Sequence, residues 1–367
     1  MNKPLKKIHL ICAARPNFMK IAPLYHALKS EKWAKPIVVH TGQHYDSNMS
    51  AEFFHDLGLP QPELFLNVGS GTHAEQTGRV MIAYEAEIMR ERPDFVVVVG
   101  DVNSTMAAAL SAVKLGVKVG HLEAGLRSFD RTMPEEINRL VTDALCDILW
   151  TPSPDADQNL IKEGVPPGKI QRVGNIMIDS LEMLRPRIEC DQIRKNLNLN
   201  GKFGVVTLHR PCNVDSAENL EAICKTLVKA ASKCPLVFPM HPRTEKSLLL
   251  HGLRPIIENR EGLHVIRPLS YIPFMNLVFN SRLVITDSGG LQEETTYLGI
   301  QCLTLRPNTE RPVTITQGTN RLCRFKDLDE KIDHILSSGH TNRKVPELWD
   351  GRTAARVVKS IKSFLNV

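Results

Sequence analysis

The sequence reads as an α/β protein built on two doubly wound parallel sheets, and three observations carry that reading. Short apolar runs alternate with amphipathic stretches along nearly the whole chain, as strand–helix–strand units do. Runs such as Phe95-Val-Val-Val-Val99 are apolar at every position, which suits a parallel strand covered on both faces. The chain has 367 residues, a single core stops growing at about 250–300 residues, and the strand–helix rhythm restarts near residue 203.

The first strand is read at 7–13. Lys3, Lys6 and Lys7 before the apolar run 8–14 faintly imitate a leader peptide, but the run is short, contains His9 and leads into Arg15-Pro16. Further strands are expected at 36–41, 95–100, 117–123 and 148–152, with helical patterns at 17–30, 73–90, 104–115, 135–145 and 155–163. In the second half the strands fall at 203–209, 235–241, 263–268, 283–287 and 302–305. The helical patterns there are 217–232, 244–250, 272–279, 291–298 and 328–336. The stretch 179–200 looks like a helical connector, and 353–364 is expected to pack back on the first domain. The result is two Rossmann-like domains facing a cleft: 1–175, joined by the C-terminal helix 353–367, and 176–350.

Composition narrows the function classes. Apolar residues make up 42% and charged residues 23%, a balance that excludes disorder. The formal charge of +6 is small for this length, no basic run stands out, and the Tyr and Trp residues are scattered, so nucleic acid is not an expected partner. The excess reads first as an ordinary surface; the sharper alternative is that part of it lines a cleft for an anionic ligand. No apolar stretch approaches the ~20 residues of a membrane span, so no membrane insertion is expected. The eight cysteines include no Cys-x-x-Cys pair, which argues against zinc and disulfides and for a reducing, cytoplasmic compartment.

In open α/β sheets, ligands bind beyond the carboxyl ends of the strands. Those ends carry Arg15 with Lys20, Gly42-Gln43-His44, Gly100-Asp101 and His121-Leu122-Glu123 in the first half. In the second half they carry His209-Arg210, His241-Pro242-Arg243 and Asp287-Ser288-Gly289-Gly290. The segment 287–294 follows a strand and opens a helix. Its two glycines admit a ligand close to the backbone, and the helix N-terminus suits a diphosphate. Glu294, one turn in, is placed to accept bonds from ribose hydroxyls. Arg15, Arg210 and Arg243 are candidate anion contacts, because a planar fork suits phosphate oxygens, although each taken singly reads more readily as a surface ion pair.

Asp101, Glu123 and Glu135 form a second constellation. Three gathered carboxylates suggest proton transfer, and crowding is expected to raise at least one pKa. Asp101-x-Asn103 invites a magnesium reading, but no Walker-type loop accompanies it. Gly69-Ser-Gly-Thr-His-Ala74 matches a dinucleotide fingerprint, yet it does not follow the first strand and no acidic strand end lies about 20 residues on.

Several motifs occur in a telling order: Ala14-Arg-Pro-Asn-Phe-Met-Lys-Ile-Ala-Pro23, Thr41-Gly-Gln-His44, Gly100-Asp101, His121-Leu-Glu-Ala-Gly-Leu-Arg127, Pro134-Glu-Glu-Ile-Asn-Arg139, His209-Arg210, Asp287-Ser-Gly-Gly290 with Gln292-Glu-Glu294, and Thr309-Glu-Arg-Pro312. Together, from about residue 8 to 320, they resemble the non-hydrolysing UDP-N-acetylglucosamine 2-epimerase family. The resemblance implies the two-domain GT-B fold, a homodimer, a UDP-sugar substrate, and no metal, NAD or other cofactor. It implies Asp101, Glu123 and Glu135 as catalytic acids and His209 as the active-site histidine. It implies Arg15, Ser288 and Glu294 as UDP contacts and His241 as a second histidine of the cleft. Lys20, Arg210, Arg243, Gly289, Gly290 and Arg311 complete the expected UDP and substrate site.

The implied reaction eliminates UDP, forms 2-acetamidoglucal and re-adds UDP with carbon 2 inverted, feeding polysaccharide biosynthesis with UDP-N-acetylmannosamine. Gln43 and His44 match an activating UDP-N-acetylglucosamine site. Four residues separate His44 from Met49 where the family often has two, and Asn17 stands where many bacterial members have Glu. Two neighbouring activities share these motifs: a UDP-diacetamido-glucuronate 2-epimerase and a hydrolysing UDP-N-acetylglucosamine 2-epimerase.

Overall fold

The computed structural model describes residues 4–42, 54–337 and 344–367, with the side chain of Arg15 outside the description. Gln43 and His44 therefore lie outside the described residues. The chain forms two compact units, Met1–Met183 with Glu347–Val367, and Leu184–Pro346. The division falls inside a helix at 183/184 instead of at the expected 175/176, and the return to the first unit begins at Glu347.

In the first unit the elements run β1 (Lys6–Cys12), α1 (Arg15–Lys29), β2 (Ala34–His40), β3 (Leu64–Phe65), α2 (His73–Arg90), β4 (Phe95–Val99), α3 (Asn103–Lys114), β5 (Val119–Leu122), α4 (Pro134–Leu145), β6 (Ile148–Thr151), α5 (Pro154–Lys162), β7 (Ile170–Arg172) and α6 (Ile176–Cys190). The strands pair in parallel in the order β3-β2-β1-β4-β5-β6-β7. Every residue of β4 is buried, as its two-faced apolar sequence requires. Val96 and Val98 belong to a core with Ala108 and Ala112 of α3.

The fingerprint-like segment at 69–74 is a helix start. Thr72 accepts a hydrogen bond from the Glu75 amide (3.3 Å), and Glu75 accepts one from the Thr72 amide (2.8 Å), a reciprocal cap of α2. The last helix, α12 (Thr353–Phe364), packs on the first unit. Its Ser360 accepts from Trp150 Nε1 (2.8 Å), and the amides of Thr353 and Ala354 donate to Asp179 (3.1 and 2.8 Å).

The second unit contains β8 (Gly204–Thr207), α7 (Ala217–Ala231), β9 (Leu236–Pro239), α8 (Pro242–Leu250), β10 (Leu263–Ile266), α9 (Tyr271–Phe279), β11 (Leu283–Thr286), α10 (Gly289–Leu298), β12 (Gln301–Thr304), β13 (Asn320–Leu322) and α11 (Leu328–Ser337). Its sheet is parallel in the order β10-β9-β8-β11-β12-β13. Both sheets therefore reverse direction between their first and fourth strands, β1/β4 and β8/β11, where a doubly wound sheet opens a crevice. The strands at 170–172 and 320–322 were not among those expected. Each is three residues long, and of their six positions only Asn320 is buried, so neither gives an apolar run.

All eight cysteines are free, with Cys190 and Cys212 exposed. Among the described residues no helix is long and apolar enough to cross a membrane.

Candidate active site

In the first unit the crevice is framed by the ends of β1, β4 and β5. Asn17, buried in α1, ties the first two together: its Oδ1 accepts from the amides of Ala14 (3.1 Å) and Ala13 (3.4 Å), and its Nδ2 donates to Val99 O (3.1 Å). An amide does both jobs, whereas a glutamate at this position has no hydrogen to give the Val99 carbonyl. One turn further along α1, Lys20 donates to Glu123 Oε2, and both side chains are buried. Glu123 Oε1 is also buried and has no hydrogen-bond partner among the described residues. Glu123 adopts φ 72°, a left-handed conformation that costs a non-glycine residue about 1–2 kcal/mol.

Asp101 ends the loop after β4. Arg139 of α4 holds its Oδ2 with Nε (3.1 Å) and Nη2 (2.7 Å), and Asn138 donates to its carbonyl (2.9 Å). Arg139 also reaches Glu136 (2.6 Å), which accepts from the amides of Ser128 and Phe129 (both 2.9 Å). Burial works to raise the Glu136 carboxyl, but these amides and Arg139 hold it below the usual range. Glu135, in the first turn of α4, is exposed.

The acids were expected to crowd one another. Lys20 meets Glu123 and Arg139 meets Asp101, so each of these two carboxylates has an opposite charge as a close partner. Arg139 and Lys20 stood in the motifs, but only the fold pairs them with these carboxylates. Among the described residues no group of three or more His, Cys, Asp or Glu side chains is arranged to hold a metal ion.

A large cavity of the first unit, about 970 Å³, is lined by Lys6, Trp33, Ala34 and Val367. These mark the amino ends of β1 and β2, away from the carboxyl ends that carry the acids.

In the second unit Asp287, fully buried after β11, organises the crevice. It accepts from the amides of His209 (3.0 Å) and Arg210 (2.9 Å) and from Asn213 Nδ2 (3.0 Å), and it faces His209 Nδ1 at 3.0 Å. Burial works to raise this carboxyl, and those hydrogen bonds hold it below the usual carboxylate range. The rings of His209 and His241 lie 5.2 Å apart, and burial, followed by the neighbouring His209, lowers the His241 pKa.

The α10 N-terminus opens beside Asp287. Ser288 caps it without a side-chain hydrogen bond, and its first turn holds no acid. A methyl group on Gly289 would sit 2.8 Å from Glu310 Oε1 and 3.0 Å from Arg311 Nη1. On Gly290 it would meet no atom within 4 Å, so that side of the turn is open.

Arginines surround this opening. Arg210 Nε donates to Asp287 O (3.0 Å). Arg306 and Arg311 flank Glu310, the former at 2.9 Å, and Arg311 also reaches Glu293 at 2.9 Å. Glu310 is driven far below the usual carboxylate range by these two arginines despite its burial. Arg306 Nη1 is buried without a hydrogen-bond partner among the described residues. Burial, then the charge of Arg306, lowers the Arg210 pKa, so an anion would relieve both.

Glu294 is buried and accepts from Tyr271 Oη (2.6 Å); burial pushes its pKa up to about 7. Arg243, expected at the anion, is exposed and paired with Asp215 at 2.9 Å. A surface partner lay within reach, so its charge is already matched. Sequence reasoning missed Arg306 and Tyr271, which sit outside any recognised motif and reach the site only through the fold.

A family model described as UDP-N-acetylglucosamine 2-epimerase matches residues 26–362. A UDP-N-acetylglucosamine 2-epimerase of Methanococcus maripaludis is 42% identical over 322 residues, covering 86% of this chain and 87% of the relative. A UDP-2,3-diacetamido-2,3-dideoxy-D-glucuronate 2-epimerase of Pseudomonas aeruginosa is 41% identical, with 92% of each chain covered. The crystal structure of Methanocaldococcus jannaschii UDP-GlcNAc 2-epimerase in complex with UDP-GlcNAc and UDP matches with a TM-score of 0.87 at 38% identity, covering 97% of this chain and 99% of that one. The two Rossmann-like units are of the GT-B type, and the chain belongs to the UDP-N-acetylglucosamine 2-epimerase family, an enzyme of the isomerase class.

Proposed function

We propose that the enzyme reversibly epimerises carbon 2 of UDP-N-acetylglucosamine, giving UDP-N-acetylmannosamine without releasing free sugar. The observation that carries this reading is Glu123: a buried carboxylate with one oxygen on Lys20 and the other without a hydrogen bond. Such an oxygen is suited to take a proton from carbon. In the second unit, the α10 N-terminus with Ser288, Arg210, Arg306 and Arg311 takes the diphosphate, and Glu294 takes the ribose. Stabilising the departing UDP places positive character on carbon 1, which acidifies the proton on carbon 2. Glu123 and Asp101, with Glu135, remove that proton and return one to the opposite face of bound 2-acetamidoglucal as UDP re-adds. The Asp287 carboxylate fixes His209 through Nδ1 and leaves Nε2 for the substrate.

The reaction needs neither metal nor NAD, and activity is expected to survive chelation. The enzyme works as a homodimer in the cytoplasm, and synthesis of a surface polysaccharide consumes its product. The 41% identity to the Pseudomonas relative supports a second reading, the same chemistry on a UDP-diacetamido-glucuronate.

Turnover of UDP-N-acetylglucosamine in heavy water tests the proposal. Both UDP-sugars should be present at equilibrium, with deuterium at carbon 2 and little free sugar. Accumulating free deuterated N-acetylmannosamine would instead identify a hydrolysing enzyme. Epimerised product without deuterium at carbon 2 would sink the proton-transfer mechanism. Turnover confined to the diacetamido-glucuronate would favour the second reading.

A further inference from the structure

The chain beyond β5 enters a turn in which Glu123 takes a conformation that a non-glycine residue does not favour. Glu123 and Gly125 take left-handed φ values of 72° and 80°. Any side chain at Gly125 would meet the Ala156 carbonyl oxygen at 2.4 Å. Three hydrogen bonds pin the turn: Ala124 N to Trp150 O (3.1 Å), Gly125 N to Asp143 Oδ2 (3.0 Å) and Asn159 Nδ2 to Gly125 O (2.9 Å). The second oxygen of Asp143 lies 2.6 Å from His121 Nδ1, and His121 Nε2 lies 2.9 Å from Gly100 O. Gly100 directly precedes Asp101. One side chain of α4 therefore reaches both the turn that carries Glu123 and, through His121, the loop that carries Asp101.

The protons of this group follow from its partners. A carbonyl oxygen only accepts, so His121 Nε2 donates to Gly100. An ionised carboxylate only accepts, so Nδ1 donates to Asp143. Asp143 is ionised, because Arg127 lies 2.7 Å from its Oδ2 and the Gly125 amide donates to the same oxygen at 3.0 Å. Arg127 lies 2.7 Å from Asp143 and binds both oxygens of Glu163 at 2.7 Å. With His121 as a cation, two positive groups, Arg127 and His121, are matched by Asp143 and by Glu163, which closes the set from the surface. An imidazole with both nitrogens committed in this way takes no proton from a substrate.

We propose that Asp143 is a positioning residue for the reaction: through the Gly125 amide and a doubly protonated His121 it sets the turn of Glu123 and the loop of Asp101 in one frame. This rests on the assignment of Glu123 and Asp101 to proton transfer. Asp143→Asn keeps the shape but removes the charge and one acceptor. Displacement of a reacting group on the order of 1 Å costs about 10²-fold in rate, so kcat should fall by roughly that factor. KM and the UDP Kd should stay within about threefold, because the nucleotide is assigned to the other unit. Deuterium entry at carbon 2 should fall in step with kcat.

A folded Asp143→Asn protein with unchanged kcat overturns the proposal, as does one that loses UDP affinity and rate together. Nitrogen-15 spectra of histidine-labelled enzyme at pH 7, with His121 assigned from a His121→Asn sample, give an independent reading. Two protonated ring nitrogens support the proposal, one unprotonated nitrogen overturns it, and this measurement decides if Asp143→Asn does not fold. Glu123→Gln, measured alongside, separates the two layers. If it keeps full exchange, the assignment of Glu123 fails and the positioning role falls with it. If it loses exchange while Asp143→Asn keeps kcat, the positioning role fails alone.

Discussion

At the end of β5 the first unit buries Glu123 against Lys20, and after β4 it sets Asp101 against Arg139, so each acid already has its base. At the ends of β8 and β11 the second unit gathers Arg210, Arg306 and Arg311, and leaves Arg306 Nη1 without a hydrogen bond among the described residues. Both units share the order of their first six strands, the first sheet adding a seventh at its edge, so the contrast does not come from topology. It comes from what each edge must do. A group that moves a proton has to be held still before substrate arrives, which calls for fixed partners. A site for a diphosphate has to keep donors available, which calls for cations that are not fully matched. Glu294 is an exception in the second unit: a buried carboxylate whose hydrogen-bond partner is the neutral Tyr271.

The contrast can be broken by crossing one variant from each side. Glu123→Gln should lower epimerisation and carbon 2 exchange by ~10²–10⁴-fold while UDP affinity changes little. Arg210→Ala should do the reverse, weakening UDP by roughly 10–100-fold, as expected for a lost charged hydrogen bond of about 1.5–3 kcal/mol. Calorimetric titration with UDP, run beside exchange kinetics, reads both. Equal loss of binding and rate in both variants would erase the division of labour.

Acidity sharpens the same contrast. Glu294 titrates near about 7 because burial disfavours its charge, against an ordinary value of 4.5. An acid raised in the folded state stabilises the fold while protonated. That contribution is fully present below about 4.5 and is lost as pH rises through about 7. Relative to Glu294→Gln, the parent enzyme should lose about 3 kcal/mol of unfolding free energy between pH 4.5 and 8. Denaturant titrations at several pH values check this, and parallel pH profiles for the two proteins would contradict it.

The smallest effects separate two adjacent glycines. Gly289→Ala places a methyl group against Glu310 and Arg311 and should cost about 1–3 kcal/mol, visible as a lower Tm without ligand. Gly290→Ala meets no neighbour within 4 Å and should leave Tm nearly unchanged, yet weaken UDP by filling the approach to the backbone. If Gly290→Ala binds UDP as well as the parent, the nucleotide does not approach that turn.

Much of this architecture was legible in the chain. The strand 95–99 was located because burial on both faces makes it apolar throughout, and the amphipathic helices 73–90 and 353–364 because burial of one face imposes a period on the sequence. Strand ends were marked by Asp101, Glu123, His209 and Asp287, since a doubly wound sheet puts its polar residues there. The edge strands at 170–172 and 320–322 escaped notice because short, partly exposed strands carry no such period.

What the sequence alone determined, then, is the two-sheet fold and the set of residue types brought to the carboxyl edges, because apolar periodicity and strand-end chemistry are local. What only the tertiary structure decided is the pairing of charges: Lys20 with Glu123, Arg139 with Asp101, Asp143 with His121, and Arg243 with Asp215. These partners lie between 22 and 103 residues apart in the chain. Coulomb attraction and burial depend on distance in space, which no local pattern of residues records.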